Sequence, residues 1–179
     1  MGTTTTLVTV QEFLALPELE EKHIELIGGE VVDMGEAGRP HEFVKSNVTR
    51  LLIAWLLRGN CGRVFPETGF RVDDYNALIP DISYVLEGPG KPGDKSVPQG
   101  VPDLAIEVVS SESAARLTKK VTLYLSHGSK SVWVIYPEEQ TVWVHSPGRA
   151  VEFRSGAMLE DPTVLPGFSA PVSAIFEGI

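Results

Sequence analysis

The sequence predicts a mixed α/β domain, with strands in the middle of the chain, one long helix before them and another between them. Three observations carry this. Short apolar runs rich in Val and Ile recur over 79–86, 104–109, 131–136 and 141–145, bounded by Gly, Pro or Asp. Two longer stretches, 41–57 and 113–126, instead repeat apolar residues every three or four positions. Finally, 179 residues with 42% apolar and 22% charged content suit one domain, 1–179, with a substantial core.

Thr9 and Glu12 have capping-box spacing, and Val10, Phe13, Leu14 and Leu16 supply an apolar face before Pro17, so the chain opens with a short helix. His23–Ile27 and Val31–Met34 flank Gly28-Gly29, a dipeptide that accepts the positive φ of a tight hairpin. Glu30 opens the second strand on the face of Val32 and Met34. After a loop over 35–40, His41–Leu57 reads as the longest helix. Its stripe is Val44, Val48, Leu51, Leu52 and Trp55, and Arg58-Gly59-Asn60 ends it.

Arg63–Phe65, Gly69–Val72 and Ile79–Leu86 are expected strands, with 73–76 as a turn. The stretch "EGPGKPGDKSVPQG", 87–100, is too rich in Gly and Pro for a helix or central strand. An exposed loop is expected, equally a tolerated excursion or a neighbour of a functional site. Leu104–Val109 is a strand leading into a helix over Ser113–Ser126. Ser131–Tyr136 and Thr141–His145 form a hairpin around Pro137–Gln140, and Val151–Arg154 adds a further strand. The tail packs down through Phe168, Val172, Ile175 and Phe176.

A net charge of −9 counts against a general nucleic-acid-binding surface, which is usually basic. It leaves room for an enzyme with an acidic metal site. Cys61 is the only cysteine, so neither an internal disulfide nor a cysteine metal cage is available. The polar start has no basic region or apolar core of a signal peptide, and Leu51–Leu57 is too short to span a bilayer. A cytoplasmic setting with no membrane partner is the expectation.

Two Pro-Asp pairs stand at strand mouths, Pro80-Asp81 and Pro102-Asp103, and Glu107 lies inside the apolar run that follows the second. Carboxylates on neighbouring strands can share one hard divalent cation such as Mg²⁺. A lysine nearby could orient or deprotonate the attacking water, or stabilise charge on phosphorus. At about 100° per residue, Leu117, Val121, Tyr124 and Leu125 share one side of the second long helix. Lys119 then faces water, whereas Lys120 falls at the edge of the buried face, where its stem can lie along the core and its ammonium reach a cleft. Each residue also has a plainer reading. Asp after Pro is ordinary turn chemistry; Glu107 fits the solvent side of an edge strand or a structural ion pair; Lys120 fits a solvated helix position. His41, on the stripe of Val44 and Val48, fits a site or a satisfied core histidine, and Glu30 fits an exposed hairpin residue. Spacing alone leaves these alternatives open.

"PDISYVL", "PDLAIEVVS", a lysine four residues before a tyrosine (Lys120, Tyr124), a glycine and then "VWVIYP" together resemble the Uma-type restriction endonuclease family, a branch of the PD-(D/E)XK nuclease superfamily. "ELIGGEVVDM", His41 opening a long helix and the tail "LPGFSAP" extend the likeness from about Thr9 to Phe176. The resemblance implies a restriction-endonuclease-like fold, a central mixed β-sheet flanked by helices. It implies Asp81 and Glu107 as the metal-binding acids. The superfamily's usual lysine lies two residues after the second acid, where this chain has Val109; members of this branch draw it from the following helix, and Lys120 matches that position. Glu30 and His41 match polar positions common in the family and join the expected catalytic set. Arg116, Tyr136 and "SSES" over 110–113 depart from the family's pattern without removing a proposed ligand.

The activity so implied is Mg²⁺- or Mn²⁺-dependent hydrolysis of phosphodiester bonds, with DNA as substrate and a homodimer suited to cutting both strands. The alternatives are a non-catalytic interaction protein on the same fold and a hydrolase acting on RNA or nucleotides.

Overall fold

The computed structural model describes residues 7–20, 22–35, 37–86, 97–110 and 112–179. Most of the expected loop over 87–100 lies outside them. The first helix, α1 (Val10–Phe13), is a single turn closed by its capping box: the Glu12 amide donates to Thr9 Oγ1 at 3.3 Å and the Thr9 amide to Glu12 Oε2 at 2.8 Å. β1 (Ile24–Ile27) and β2 (Glu30–Asp33) pair antiparallel across Gly28 and Gly29, whose φ values of 64° and 78° are those a tight hairpin turn needs. α2 (Arg39–Leu56) starts with Pro40 in its first turn, where a missing N–H costs nothing.

β3 (Arg63–Pro66), β4 (Phe70–Asp73), β5 (Asn76–Leu78) and β6 (Ile82–Val85) follow, then β7 (Leu104–Val108), α3 (Ala114–Ser126), β8 (Ser131–Tyr136), β9 (Thr141–Ser146) and β10 (Arg149–Arg154). The chain closes with the short pair β11 (Met158–Leu159) and β12 (Ala170–Pro171) and with α4 (Val172–Ile175). Six strands form the central sheet in the order β10-β9-β8-β7-β6-β3, and a smaller antiparallel sheet runs β2-β1-β5-β4. Among the described residues of the central sheet only β7 and β8 pair parallel, with α3 as their crossover, so the sheet is mixed.

The strand expected over Ile79–Leu86 begins only at Ile82, as β6, and a strand that was not expected, β5 (Asn76–Leu78), precedes it in the other sheet. β5 belongs to the small sheet and β6 to the central one, and Ile79-Pro80-Asp81 is the passage between them. Pro80 has no N–H to give a central ladder, so the chain leaves one sheet there and enters the other beyond it. β10 begins two residues earlier than expected, at Arg149.

Alternation along β7 divides the core. Leu104, Ile106 and Val108 pack with Val44, Val48, Leu52 and Trp55 of α2 and with the tail residues Phe168, Val172, Ile175 and Phe176. Ala105 faces the other way, with Leu117 and Tyr124 of α3 and with Ile27 and Leu78 of the small sheet. α2 and the tail therefore cover one face of the central sheet, and α3 with the small sheet covers the other. No helix among the described residues is long and apolar enough to cross a membrane.

Candidate active site

The two Pro-Asp pairs separate by direction. β6 and β7 are antiparallel, so aspartates at their starts lie at opposite ends of the sheet. Asp103 accepts from the Leu86 amide at 2.8 Å and pairs with Lys130 at 2.8 Å, which is ladder capping with a counter-ion. Asp81 also caps the ladder, accepting from the Val108 amide at 2.7 Å through Oδ2, but its Oδ1 points to His41 Nε2 at 3.0 Å. It lies at the end of β7 where Glu107 sits.

Glu107 belongs to the middle of the central sheet, between β6 and β8, and is 3% exposed. The edge-strand alternative for it is thereby excluded, whereas an ion pair is present. Glu107 shares its face of β7 with Ala105, toward α3. Lys120 and Tyr124 lie one turn apart on α3 and meet it together: Lys120 Nζ donates to Oε2 at 2.7 Å and the Tyr124 hydroxyl to Oε1 at 2.9 Å. Lys120 is 1% exposed. It is not solvated: carboxylates surround its ammonium at the edge of a cavity. Lys119 is exposed and reaches the Ile27 carbonyl at 3.3 Å.

Two of those carboxylates were not singled out from the sequence. Glu25, in β1 and fully buried, accepts from the Ile79 amide through Oε1 and brings Oε2 to 3.2 Å from Lys120 Nζ. That contact is close enough for an ion pair, but its angles are not those of a hydrogen bond, and among the described residues Glu25 Oε2 has no hydrogen-bond partner. Glu112, just ahead of α3, has a buried Oε2 that likewise finds no partner among the described residues. Glu30 is not brought in. It is exposed at the hairpin, opposite Ile27 on the outer strand of the small sheet.

His41 joins the cluster from α2, its Nδ1 3.2 Å from Glu42 Oε1. Burial pushes the imidazole down, but Asp81 and Glu42 outweigh it and hold its pKa above the usual value. Burial likewise pushes Asp81 up, and His41, the Val108 amide and Lys120 together hold it below the ordinary carboxylate range. Glu107 behaves oppositely: burial, with the charges of Glu25 and Asp81, holds it well above that range despite Lys120. Burial also raises Glu112. For Lys120, burial is overcome by Glu107, Glu25 and Glu112, and the ammonium is held well above its ordinary value. That direction keeps Lys120 in its ammonium form, held between Glu107 and Glu25.

Asp81, Glu107, Glu112, Lys120 and His41 line one cavity of about 50 Å³ at the junction of the two sheets, more than the roughly 10–15 Å³ one water requires. A far larger cavity, about 580 Å³, runs along the outer face of α2 past Lys45, Ile53 and Leu57, and contains none of these carboxylates. The chemistry gathers at the small one.

Four carboxyl groups, Glu25, Asp81, Glu107 and Glu112, gather around Lys120 and His41, an excess of acid that a proton or a cation would offset. Oxygen donors of this kind suit a hard divalent cation, and the free Glu112 oxygen is a further donor. The set fits such an ion in kind. Among the described residues, however, no three His, Cys, Asp or Glu side chains already converge as a finished metal cage, and Glu107 is held by Lys120 and Tyr124.

A family model described as "Putative restriction endonuclease", Uma2, matches residues 10–173. The chain belongs to the Uma2 family. A crystal structure from Anabaena variabilis ATCC 29413, titled a "putative nuclease belonging to DUF820", is similar at 26% identity and a TM-score of 0.84, over 94% of this chain and 97% of that one. Among curated proteins none matches. Family and fold set the chain among restriction-endonuclease-like proteins, as the motifs around Asp81 and Glu107 imply.

Proposed function

We propose that the chain hydrolyses phosphodiester bonds of DNA, with Mg²⁺ or Mn²⁺ held by Asp81 and Glu107 and with Lys120 stabilising the charge that builds on the phosphoryl group. The supporting observation is the meeting of Asp81, Glu107 and Lys120, from the mouth of β6, from β7 and from α3, around one cavity. Family membership supports the same reaction class.

When bound, the cation would polarise the phosphoryl oxygen and lower the pKa of the attacking water. The side chains divide the remaining work. His41 and the Val108 amide orient Asp81, and Tyr124 orients Glu107. Lys120, fixed as an ammonium, complements negative charge on the phosphoryl oxygens. Glu112, a raised carboxyl with a free oxygen, suits the proton that water releases as its oxygen bonds to phosphorus and the bond to the leaving strand breaks. On a duplex, a homodimer would carry two such sites, one for each strand.

The test sets duplex, single-stranded and branched DNA beside RNA, each with Mg²⁺, Mn²⁺ or chelator. Wild type, Asp81→Ala and Glu107→Ala are compared. Cation-dependent cleavage of DNA that both substitutions abolish is the expected result. Cleavage of RNA alone would move the activity to a ribonuclease. Failure on every substrate would favour the rival reading, an interaction protein on a nuclease fold. That rival draws on Asp81 and Glu107 each already having a protein cation as partner, and it predicts that Asp81→Ala and Glu107→Ala leave metal binding unchanged.

A further inference from the structure

A second cavity of about 340 Å³ adjoins the first, and His41 and Ser110 line both. Its size falls in the range of about 300–1,000 Å³ typical of small-molecule sites. Pro40, at the start of α2, and the buried Pro137, in the β8–β9 turn, supply apolar walls. Tyr136, the last residue of β8, is half-buried there, and Glu138 and Glu139 stand exposed at the rim. Burial, with the charges of Glu139 and Glu112, holds the Tyr136 hydroxyl above its ordinary value, so it remains a neutral donor.

This lining rejects one part of a nucleic acid and accepts another. Phosphate would meet two carboxylates in the β8–β9 turn, and the one imidazole of the lining, His41, is already paired with Asp81. A nucleobase offers flat faces to tyrosine and proline rings, and the exocyclic amines of cytosine and adenine donate to carboxylates. A base beside the scissile phosphate can enter a side cavity only after leaving its stack.

Resting on the phosphodiesterase reading, we infer that this cavity takes one unstacked nucleobase next to the cleaved phosphate, so the substrate is single-stranded or locally unpaired. The net charge of −9 agrees, because single-strand binding draws on stacking and releases fewer counterions than binding a duplex does.

The probe is a short fluorescein-labelled single-stranded oligodeoxynucleotide, in dC-rich and dT-rich forms, with a fully paired duplex as comparison. Anisotropy and cleavage are read on the same samples for wild type, Tyr136→Ala, Tyr136→Phe and Glu139→Gln. Tyr136→Ala should weaken single-strand binding on the order of tenfold or more, the loss expected for one base–aromatic stack. Tyr136→Phe should keep most of it, which also controls for folding. Wild type should prefer the dC-rich strand, and Glu139→Gln should narrow that preference. Cleavage with no preference for unpaired strands and no effect of Tyr136→Ala would overturn the inference and leave the nuclease standing. Tyr136-dependent binding without cleavage would keep the pocket and sink the nuclease. Neither binding nor cleavage would overturn both.

Discussion

Replacing Lys120 by Met keeps much of the side chain's length and removes its charge, which leaves Glu107 and Glu25 facing each other in the buried space between two sheets and α3. Removing one partner of a buried ion pair costs about 3–5 kcal/mol. For a chain of this size each kcal/mol moves Tm by about 2–4 °C, so Lys120→Met should melt roughly 6–20 °C below wild type at neutral pH. The loss should shrink on acidification. Burial holds the Glu107 carboxyl well above its ordinary value in the folded protein, and without Lys120 it rises further. A carboxyl raised in this way contributes stability that is fully present below its unfolded value of about 4.3 and lost as pH rises through the folded value. Lys120→Met should therefore regain stability as pH falls from neutral toward about 4.3, more steeply than wild type. Adding Glu107→Gln removes the stranded charge, so the double variant should melt above Lys120→Met alone. Thermal melts by circular dichroism across that pH range measure all three. A Tm within about 2 °C of wild type, or a difference that does not change with pH, would refute the buried-cluster electrostatics.

Other predictions follow from the same cluster. Calorimetric titration of Mn²⁺ should show binding that strengthens with pH, because Glu107 must lose a proton to act as a ligand; Asp81→Ala and Glu107→Ala should each abolish it, and binding unaffected by both would remove the metal site. The His41–Asp81 pair should stabilise most between about pH 4 and 6.5. The lowered Asp81 contributes above its unfolded value and loses that as pH falls through its folded one, and the raised His41 contributes below its unfolded value and loses that as pH rises through its folded one. His41→Gln should remove the loss on the alkaline side, which urea melts at several pH values can read. Asp103→Asn is the contrasting case. It weakens a ladder cap and an ion pair at the far end of the sheet, so it should cost about 1 kcal/mol while kcat/KM stays within twofold.

The parts of the fold that were legible in the sequence are those whose periodicity had one partner face. The α2 stripe of Val44, Val48 and Trp55 and the α3 stripe of Leu117 and Tyr124 are buried as read, and the second of these selected Lys120 over Lys119. β1 was legible as a strand but not as a source of a site residue. Every residue of it is buried, so alternation carries no signal there and Glu25 does not stand out. Glu30 drew attention because it shares a face with Val32 and Met34 in period, yet β2 is the outer strand of a small sheet and that residue faces solvent. Glu112 lies outside any periodic element, where no pattern points inward. The change of sheet at Pro80 was hidden for a similar reason. Ala77–Leu86 is apolar on both sides of Pro80-Asp81 and reads as one strand, and Glu25 takes up the Ile79 amide where the ladder breaks.

The position of Lys120 on a helix has a consequence that a strand lysine would not have. Val109 lies two residues beyond Glu107 on the same face of the sheet, among the residues packed toward α3. A lysine there would approach Glu107 along the strand and touch the central sheet alone. Coming from α3, which crosses over that face, Lys120 reaches Glu107 in the central sheet and Glu25 in the small one at once. The same ammonium that would meet phosphoryl charge thus ties together the helix and both sheets at the point where the chain passes between them. Loss of activity in Lys120→Ala would by itself say little, because folding and chemistry fail together. The separable residues are Asp81 and Glu112: each lines the cavity, and neither forms an ion pair with Lys120. Their substitution is what can distinguish a reacting centre from a structural knot.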